Sequence, residues 1–404
     1  MRENRIMITR CIIYLVLGIA CLYLFYMQAI GEFVADTVSH VESSLSSQIS
    51  AYSLMTVTFR AIYHVAGPYG IAVLLAIVEV ATIGVTEVLL KRMIPGKEGL
   101  TLLLAVVCNI TTAIYLPFFH NRIYVGIVTG NIWHNPTYQL MKLFSLVAIF
   151  CYMQLLNATN RHEAIGRWGL FTFACIVSTA FKPSFMVVFG PSVVLMRVVA
   201  FVRNRNTWKV SIGIGASFVV ALLIIILQYT VLFPGDGSSG IALGFAEVWS
   251  RAHKSIPLAM LQSFAFPLIV FFGCARMLKA SENYALAWLM FILGLAEFLF
   301  LHETGGRMYH GNFAWSLSFA CFYLMVVSVG VFFRKWGEIV SGLFEHVDTK
   351  KVNVGVECEG VAQRTSDGSR AARVYCVFVL VVLALHLASG LLYFVGVVAG
   401  IRPF

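Results

Sequence analysis

Long apolar runs separated by short polar stretches fill most of this chain. The runs 11–30 and 210–233 each reach the roughly 20 apolar residues that a helix needs to cross a bilayer. The pattern predicts about 11 spans: 10–30, 68–90, 99–119, 137–157, 166–181, 184–202, 210–232, 257–276, 284–302, 313–333 and 374–399. This is an all-α, polytopic helical membrane protein. A β-barrel is excluded, because its strands would alternate in segments of about ten residues. The fifth span is short, so 166–181 and 184–202 read either as two crossings or as a re-entrant pair.

Two segments depart from the spanning pattern. In 52–66, Tyr52, Met55, Phe59, Ile62 and Ala66 share one helical face, and Thr56, Arg60 and His64 share the other. That spacing predicts an amphipathic helix lying in an interface. The stretch 345–373 is hydrophilic and mixed in charge, which predicts a flexible loop. The chain thus divides into a membrane core (1–335) with loops at 31–67, 120–136, 233–256 and 302–313, a flexible loop (336–373), and a final span with a short tail (374–404).

Composition sharpens the class. Of 404 residues, 59% are apolar and 12% charged, with a mean hydropathy of +0.85. Soluble proteins carry about 25% charged residues. The net charge of +10 reads as topology and not as nucleic-acid binding. With the N-terminus in the cytoplasm, 21 of the 29 Lys and Arg fall on the inner side and 8 on the outer. The same arrangement sends seven of the ten His outward. The first run follows Arg2, Arg5 and Arg10 and has no A-x-A cleavage pattern after it, so it reads as a retained anchor. The nine Cys include no C-x-x-C pair and give no disulfide or zinc pattern.

Candidate chemistry lies in the outer loops. Glu32, Asp36 and His40 follow an i, i+4, i+8 spacing, which puts them on one face if the segment is helical. A carboxylate beside an imidazole suits general-base chemistry or metal binding, and the same spacing also describes a solvated juxtamembrane helix. The second loop packs His120, Asn121, Arg122, Trp133, His134, Asn135 and Tyr138 into a short stretch, with Asn135–Pro136 suited to start a helix. Lys142 lies about one turn inside the fourth span. Lys182 precedes Pro183 at the junction of the short spans, where a cation at a broken helix either receives an anionic lipid headgroup or simply snorkels to the interface. The fifth loop holds His302, Glu303, Arg307, Tyr309, His310, Asn312 and Trp315, with Gly305, Gly306 and Gly311 giving tight turns. Arg307 suits bidentate contact with phosphate. Glu79 and Glu297 are acids within spans, suited to ion coupling or to quiet pairing.

The runs 131–138 (NIWHNPTY), 182–185 (KPSF) and 303–315 (ETGGRMYHGNFAW), with Asp36 and His40 ahead of the amphipathic segment, resemble a group of bacterial membrane proteins similar to the GT-C superfamily of glycosyltransferases. The resemblance covers the order of elements to about residue 335. It implies an enzyme of the cytoplasmic membrane that moves a sugar from a polyprenyl-phosphate-linked donor to a glycan, lipid or protein acceptor on the outer face, inverting the anomeric centre. It implies Asp36 and His40 as the catalytic pair. Lys182 and Arg307 then become the cations for the leaving phosphate. His134, Asn135, Glu303, His310 and Asn312 become substrate-binding groups, with Trp133 and Tyr309 stacking on the sugar. A single Asp36 stands where a D-x-D pair would bind a divalent metal, which leaves metal use open. A transporter or flippase of a lipid-linked saccharide, working through Glu79, Glu297 and Lys142, and a polysaccharide polymerase or ligase are the competing expectations.

Overall fold

The structure is a computed structural model and describes residues 2–46, 53–119, 126–233, 240–348 and 362–401. The chain forms α1 (Arg2–Ala29), α2 (Thr37–Leu45), α3 (Leu54–Met93), α4 (Glu98–Ile110), α5 (Pro136–Leu156), α6 (Arg161–Phe181), α7 (Ser184–Arg203) and α8 (Trp208–Leu232). Strand β1 (Ile241–Leu243) follows, then α9 (Glu247–Ala252), α10 (Ile256–Cys274), α11 (Met277–Ala280), α12 (Glu282–Phe300), β2 (Leu301–Glu303), a 3-10 turn (Gly305–His310), α13 (Ala314–Asp348) and α14 (Ala362–Val398). Ten of these helices are long and apolar enough to cross a membrane, which makes this a helical multi-pass membrane protein.

Helix α13 is the axis of the bundle. All of its spanning window is buried, against 17% for α1 and for α8. A helix that is apolar all round belongs inside, and helices with such exposed apolar faces belong against lipid. At one end of the bundle, ion pairs tie helices together. Arg10 and Lys91 reach Glu87 Oε1 at 2.8 and 3.0 Å, Tyr14 donates to Glu87 Oε2 at 2.7 Å, and Arg10 lies 3.6 Å from Glu98. Arg197 pairs with Glu282 across α7 and α12, and Arg167 with Glu163 within α6.

Two sequence expectations change, and one alternative that the sequence leaves open is decided. The third predicted span is a helix of 13 residues, α4, followed by extended chain. That extended chain is buried at Thr111, Thr112 and Ala113. Bare backbone in a bundle interior needs partners from its neighbours, and they come from α10 and α14. Thr112 N–H donates to His386 O, His386 Nδ1 lies 2.6 Å from Thr112 O, Gln262 Nε2 donates to Ile114 O at 3.0 Å, and Tyr115 N–H donates to Ser389 Oγ at 3.0 Å. Gly390 makes the approach feasible, since a Cβ there would lie 1.9 Å from Ile110 O. The fifth and sixth spans are full-length helices of 21 and 20 residues, not a re-entrant pair. Helix also enters the stretch expected to be a flexible loop, because α13 continues to Asp348 and α14 begins at Ala362; 349–361 lie outside the described residues.

The segment ahead of the second span is helical and distinct from it. The backbone breaks at Gly67 (φ 58°, ψ −151°), immediately before Pro68. Met55 and Phe59 on its predicted apolar face are buried, and Arg60 ties it to α2 by donating to Ser44 O at 2.5 Å and Ser46 O at 3.3 Å. Strands β1 and β2 pair antiparallel, Ile241 opposite Glu303 and Leu243 opposite Leu301, joining two loops far apart in the chain.

Candidate functional site

At the other end of the bundle, the N-terminal ends of α2, α3, α5, α7 and α13 and the C-terminal ends of α6, α8 and α12 surround a cavity of about 690 Å³. Of the residues singled out from sequence, Asp36, His40, Asn135, Lys182, Glu303, Arg307, His310 and Asn312 line it. Val187, Ile225, Leu232 and Phe313 form apolar wall. A chamber with cations and carboxylates on one part of its wall and aliphatic helix surface on another suits a ligand that is both charged and greasy.

Asp36 owes its position to two elements. It precedes the first turn of α2, yet its side chain makes no capping hydrogen bond there. Its backbone N–H donates to His134 O at 2.9 Å, and its Oδ2 accepts from Asn135 Nδ2 at 2.7 Å. Asn135 is itself the N-cap of α5, with Oδ1 accepting from Tyr138 N–H at 2.9 Å. The cap consumes the amide oxygen and so aims the amide nitrogen at Asp36. Thr137 Oγ1 donates to the same Oδ1 at 2.6 Å and accepts from Lys182 Nζ at 3.2 Å. One chain of hydrogen bonds thus links the carboxylate of Asp36 to the ammonium of Lys182.

Lys182 follows the last residue of α6. The carbonyls of that helix end are satisfied by others: Ser53 Oγ donates to Phe181 O at 3.2 Å, and Gln228 Nε2 donates to Ala180 O at 3.1 Å. The ammonium is therefore not drawn back to cap its own helix. It sits 4.1 Å over the Trp315 ring, and no carboxylate among the described residues lies within 4.0 Å. Loss of hydration pushes its pKa down to about 7, with Asp36 and Glu303 pulling the other way. His40 is also pushed down, to about 4, by burial and then by Lys182, against the pull of Asp36. It is neutral near pH 7.

The 3-10 turn holds the second cation. Glu303 on β2 is 5% exposed and accepts from Arg307 Nε at 3.2 Å and from Asn312 Nδ2 at 2.6 Å. Gly305 (φ 65°) and Gly311 (φ 61°) give the left-handed corners that fold this segment back on itself. Anchoring through Nε leaves both Nη groups of Arg307 without a hydrogen-bond partner among the described residues, and the guanidinium carbon lies 5.5 Å from the centre of the Phe233 ring.

Other expected positions fall elsewhere. Trp133 is buried against Phe394, ring centroids 4.9 Å apart, and does not line the cavity, so it packs the core where sugar stacking was expected. His134 stands behind Asp36, its Nδ1 3.3 Å from Tyr393 Oη, also off the cavity wall. Burial lowers the His134 pKa to about 4. Tyr309 lies in the 3-10 turn, and its side chain is outside those described. Glu32 is exposed and lies in the non-helical stretch ahead of α2, so it shares no helical face with Asp36 and His40. His120, Asn121 and Arg122 lie outside the described residues. Lys142 is buried, donating to Asn131 Oδ1 at 2.6 Å and sitting 3.8 Å over Phe322, away from the cavity. The last span carries Tyr393 and Phe394 and so packs behind the site, which its sequence did not signal. No group of three His, Cys, Asp or Glu able to hold a metal occurs among the described residues. Compared with protein-family models and with characterised proteins, the chain finds no match.

Proposed function

We propose that this protein is a membrane glycosyltransferase that takes a sugar from a polyprenyl-phosphate-linked donor, on the outer face of the membrane, and passes it to a glycan, lipid or protein acceptor. The observation that carries this reading is the meeting of Asp36, Lys182 and Arg307 at one cavity whose remaining wall includes apolar helix surface. The lipid chain would lie along that apolar wall. The phosphate would sit at Lys182 and Arg307, whose donors and charge suit its oxygens.

In the transfer, an acceptor hydroxyl oxygen attacks the anomeric carbon and forms the new C–O bond. Asp36 takes the hydroxyl proton. The bond from the anomeric carbon to the phosphate oxygen breaks, and polyprenyl phosphate leaves with the electron pair, its added charge met by the two cations. Attack on the face of the anomeric carbon opposite the leaving phosphate inverts that centre.

The test is turnover by the purified full-length chain in liposomes, offered polyprenyl-phosphate-linked hexoses and pentoses with membrane glycolipid extract as acceptor. Consumption of a donor with release of polyprenyl phosphate, lost in Asp36→Asn protein that still inserts and folds, is the expected result. Turnover by Asp36→Asn at the wild-type rate overturns the base assignment. Export or import of intact lipid-linked saccharide without bond cleavage points to the flippase instead.

A further inference from the structure

The cavity wall also holds two buried side-chain oxygens that the transfer step leaves unused. Gln228, near the end of α8, is 4% exposed. Its Nε2 donates to Thr179 O at 3.3 Å and to Ala180 O at 3.1 Å. Two carbonyls on that side require the amide nitrogen there, which fixes Oε1 on the other side. Gln228 Oε1 is buried and has no hydrogen-bond partner among the described residues. Glu297, one turn before the end of α12, accepts from Ser316 Oγ through Oε1 at 3.2 Å, while its Oε2 is buried without a partner. Both residues line the cavity, and no other described lining residue has a buried side-chain polar atom left unpaired.

Buried polar atoms without a hydrogen bond are rare, because each forfeits the bonds it made in water. Two on the wall of one cavity call for a ligand whose groups both donate and accept. Lys182 and Arg307 present only donors themselves, so they match the phosphate, which brings acceptors. Hydroxyl groups are the complementary chemistry. A ligand that satisfies both parts of the wall carries a phosphate and a polyhydroxylated group together.

Resting on the glycosyltransferase reading, we infer that Gln228 Oε1 and Glu297 Oε2 form the sugar subsite, hydrogen-bonding to hydroxyls of the transferred sugar. The consequence is discrimination between the loaded and the spent carrier. The glycosylated lipid satisfies both oxygens. The bare lipid phosphate left after transfer does not, and so it is held less tightly and released. A site built to bond a hydroxyl discriminates strongly against a ligand that lacks it.

The experiment titrates the detergent-solubilised full chain with undecaprenyl phosphate and with its glucosyl, mannosyl and arabinosyl phosphodiesters, reading intrinsic tryptophan fluorescence, to which Trp315 on the cavity wall contributes. Wild type is expected to bind at least one glycosylated form about tenfold or more tighter than the bare carrier. Glu297→Met is expected to lose most of that preference while its affinity for bare carrier stays within about twofold. Glu297→Gln, whose amide oxygen still accepts, is expected to keep the preference. Equal behaviour of the Met and Gln variants, or an intact preference in Glu297→Met, overturns the subsite. Wild type binding carrier but preferring no glycosylated form also overturns it. If wild type binds neither bare nor glycosylated carrier, the glycosyltransferase reading itself fails.

Discussion

The two ends of the bundle use charge differently. At one end Glu87 is shared by Arg10, Lys91 and Tyr14, and Arg197 and Arg167 each have a carboxylate of their own. Those cations are neutralised in place, and the pairs of Arg10 with Glu87 and of Arg197 with Glu282 hold helices together. At the cavity end Lys182 rests on a hydroxyl and an aromatic ring, and Arg307 engages its carboxylate through Nε alone. Charge that is already matched contributes to the fold. Charge held near carboxylates but not saturated by them is available to a ligand.

Substitutions at the two ends should therefore separate stability from function. The largest effect is expected for Asp36→Asn: a loss of transfer of about 10²–10⁴-fold with the thermal midpoint nearly unchanged, read by turnover and by a melting curve. Second is Glu87→Gln at the opposite end. Its partners Arg10 and Lys91 are 26% and 33% exposed, so the loss should be about 2 kcal/mol, less than for a fully buried pair. A lower melting temperature with unchanged donor binding is the expected result, and weakened donor binding would break the comparison.

The third prediction concerns pH. A Lys182 ammonium with a pKa near 7 is charged below that pH and neutral above it. A sugar-linked phosphodiester keeps one negative charge throughout this range, so any change comes from the protein. Donor affinity should fall by up to about tenfold between pH 6 and pH 8. Lys182→Arg, which stays charged, should flatten the profile, and a profile unchanged by that substitution would remove Lys182 from the headgroup site. The smallest effect is expected for Asn135→Ala. Losing the N-cap costs about 1 kcal/mol, and losing the hydrogen bond to Asp36 should lower kcat more than it raises KM. A melting shift without any kinetic change would assign Asn135 to the fold alone.

Much of this fold is legible in the sequence. The spans follow from the length of the apolar runs, and Asn135–Pro136 announced a helix start that the structure contains. The break after Ile110 was hidden, because 99–119 is apolar without a Pro or Gly at the break, and the groups that satisfy its extended backbone come from Gln262, His386 and Ser389 far along the chain. The β1–β2 pairing was hidden too, since three-residue strands have no readable period. Trp133 looked like a ligand contact because an aromatic beside a polar loop reads the same whether it faces inward or outward. Gln228 gave no signal at all inside an apolar run, and its interest appears only once its amide nitrogen is seen to be committed.

The central claim is that the cavity takes a lipid phosphate through Lys182 and Arg307. It is tested most directly by photo-crosslinking the full-length protein in liposomes with a polyprenyl phosphate bearing a diazirine near the headgroup, followed by peptide mapping. The account expects labelling at the cavity wall around Ile225, Leu232 and Phe313, sharply reduced in a Lys182→Met, Arg307→Met double variant and unaffected by Glu87→Gln. Labelling that avoids this wall, or that survives the double variant at wild-type level, would contradict it.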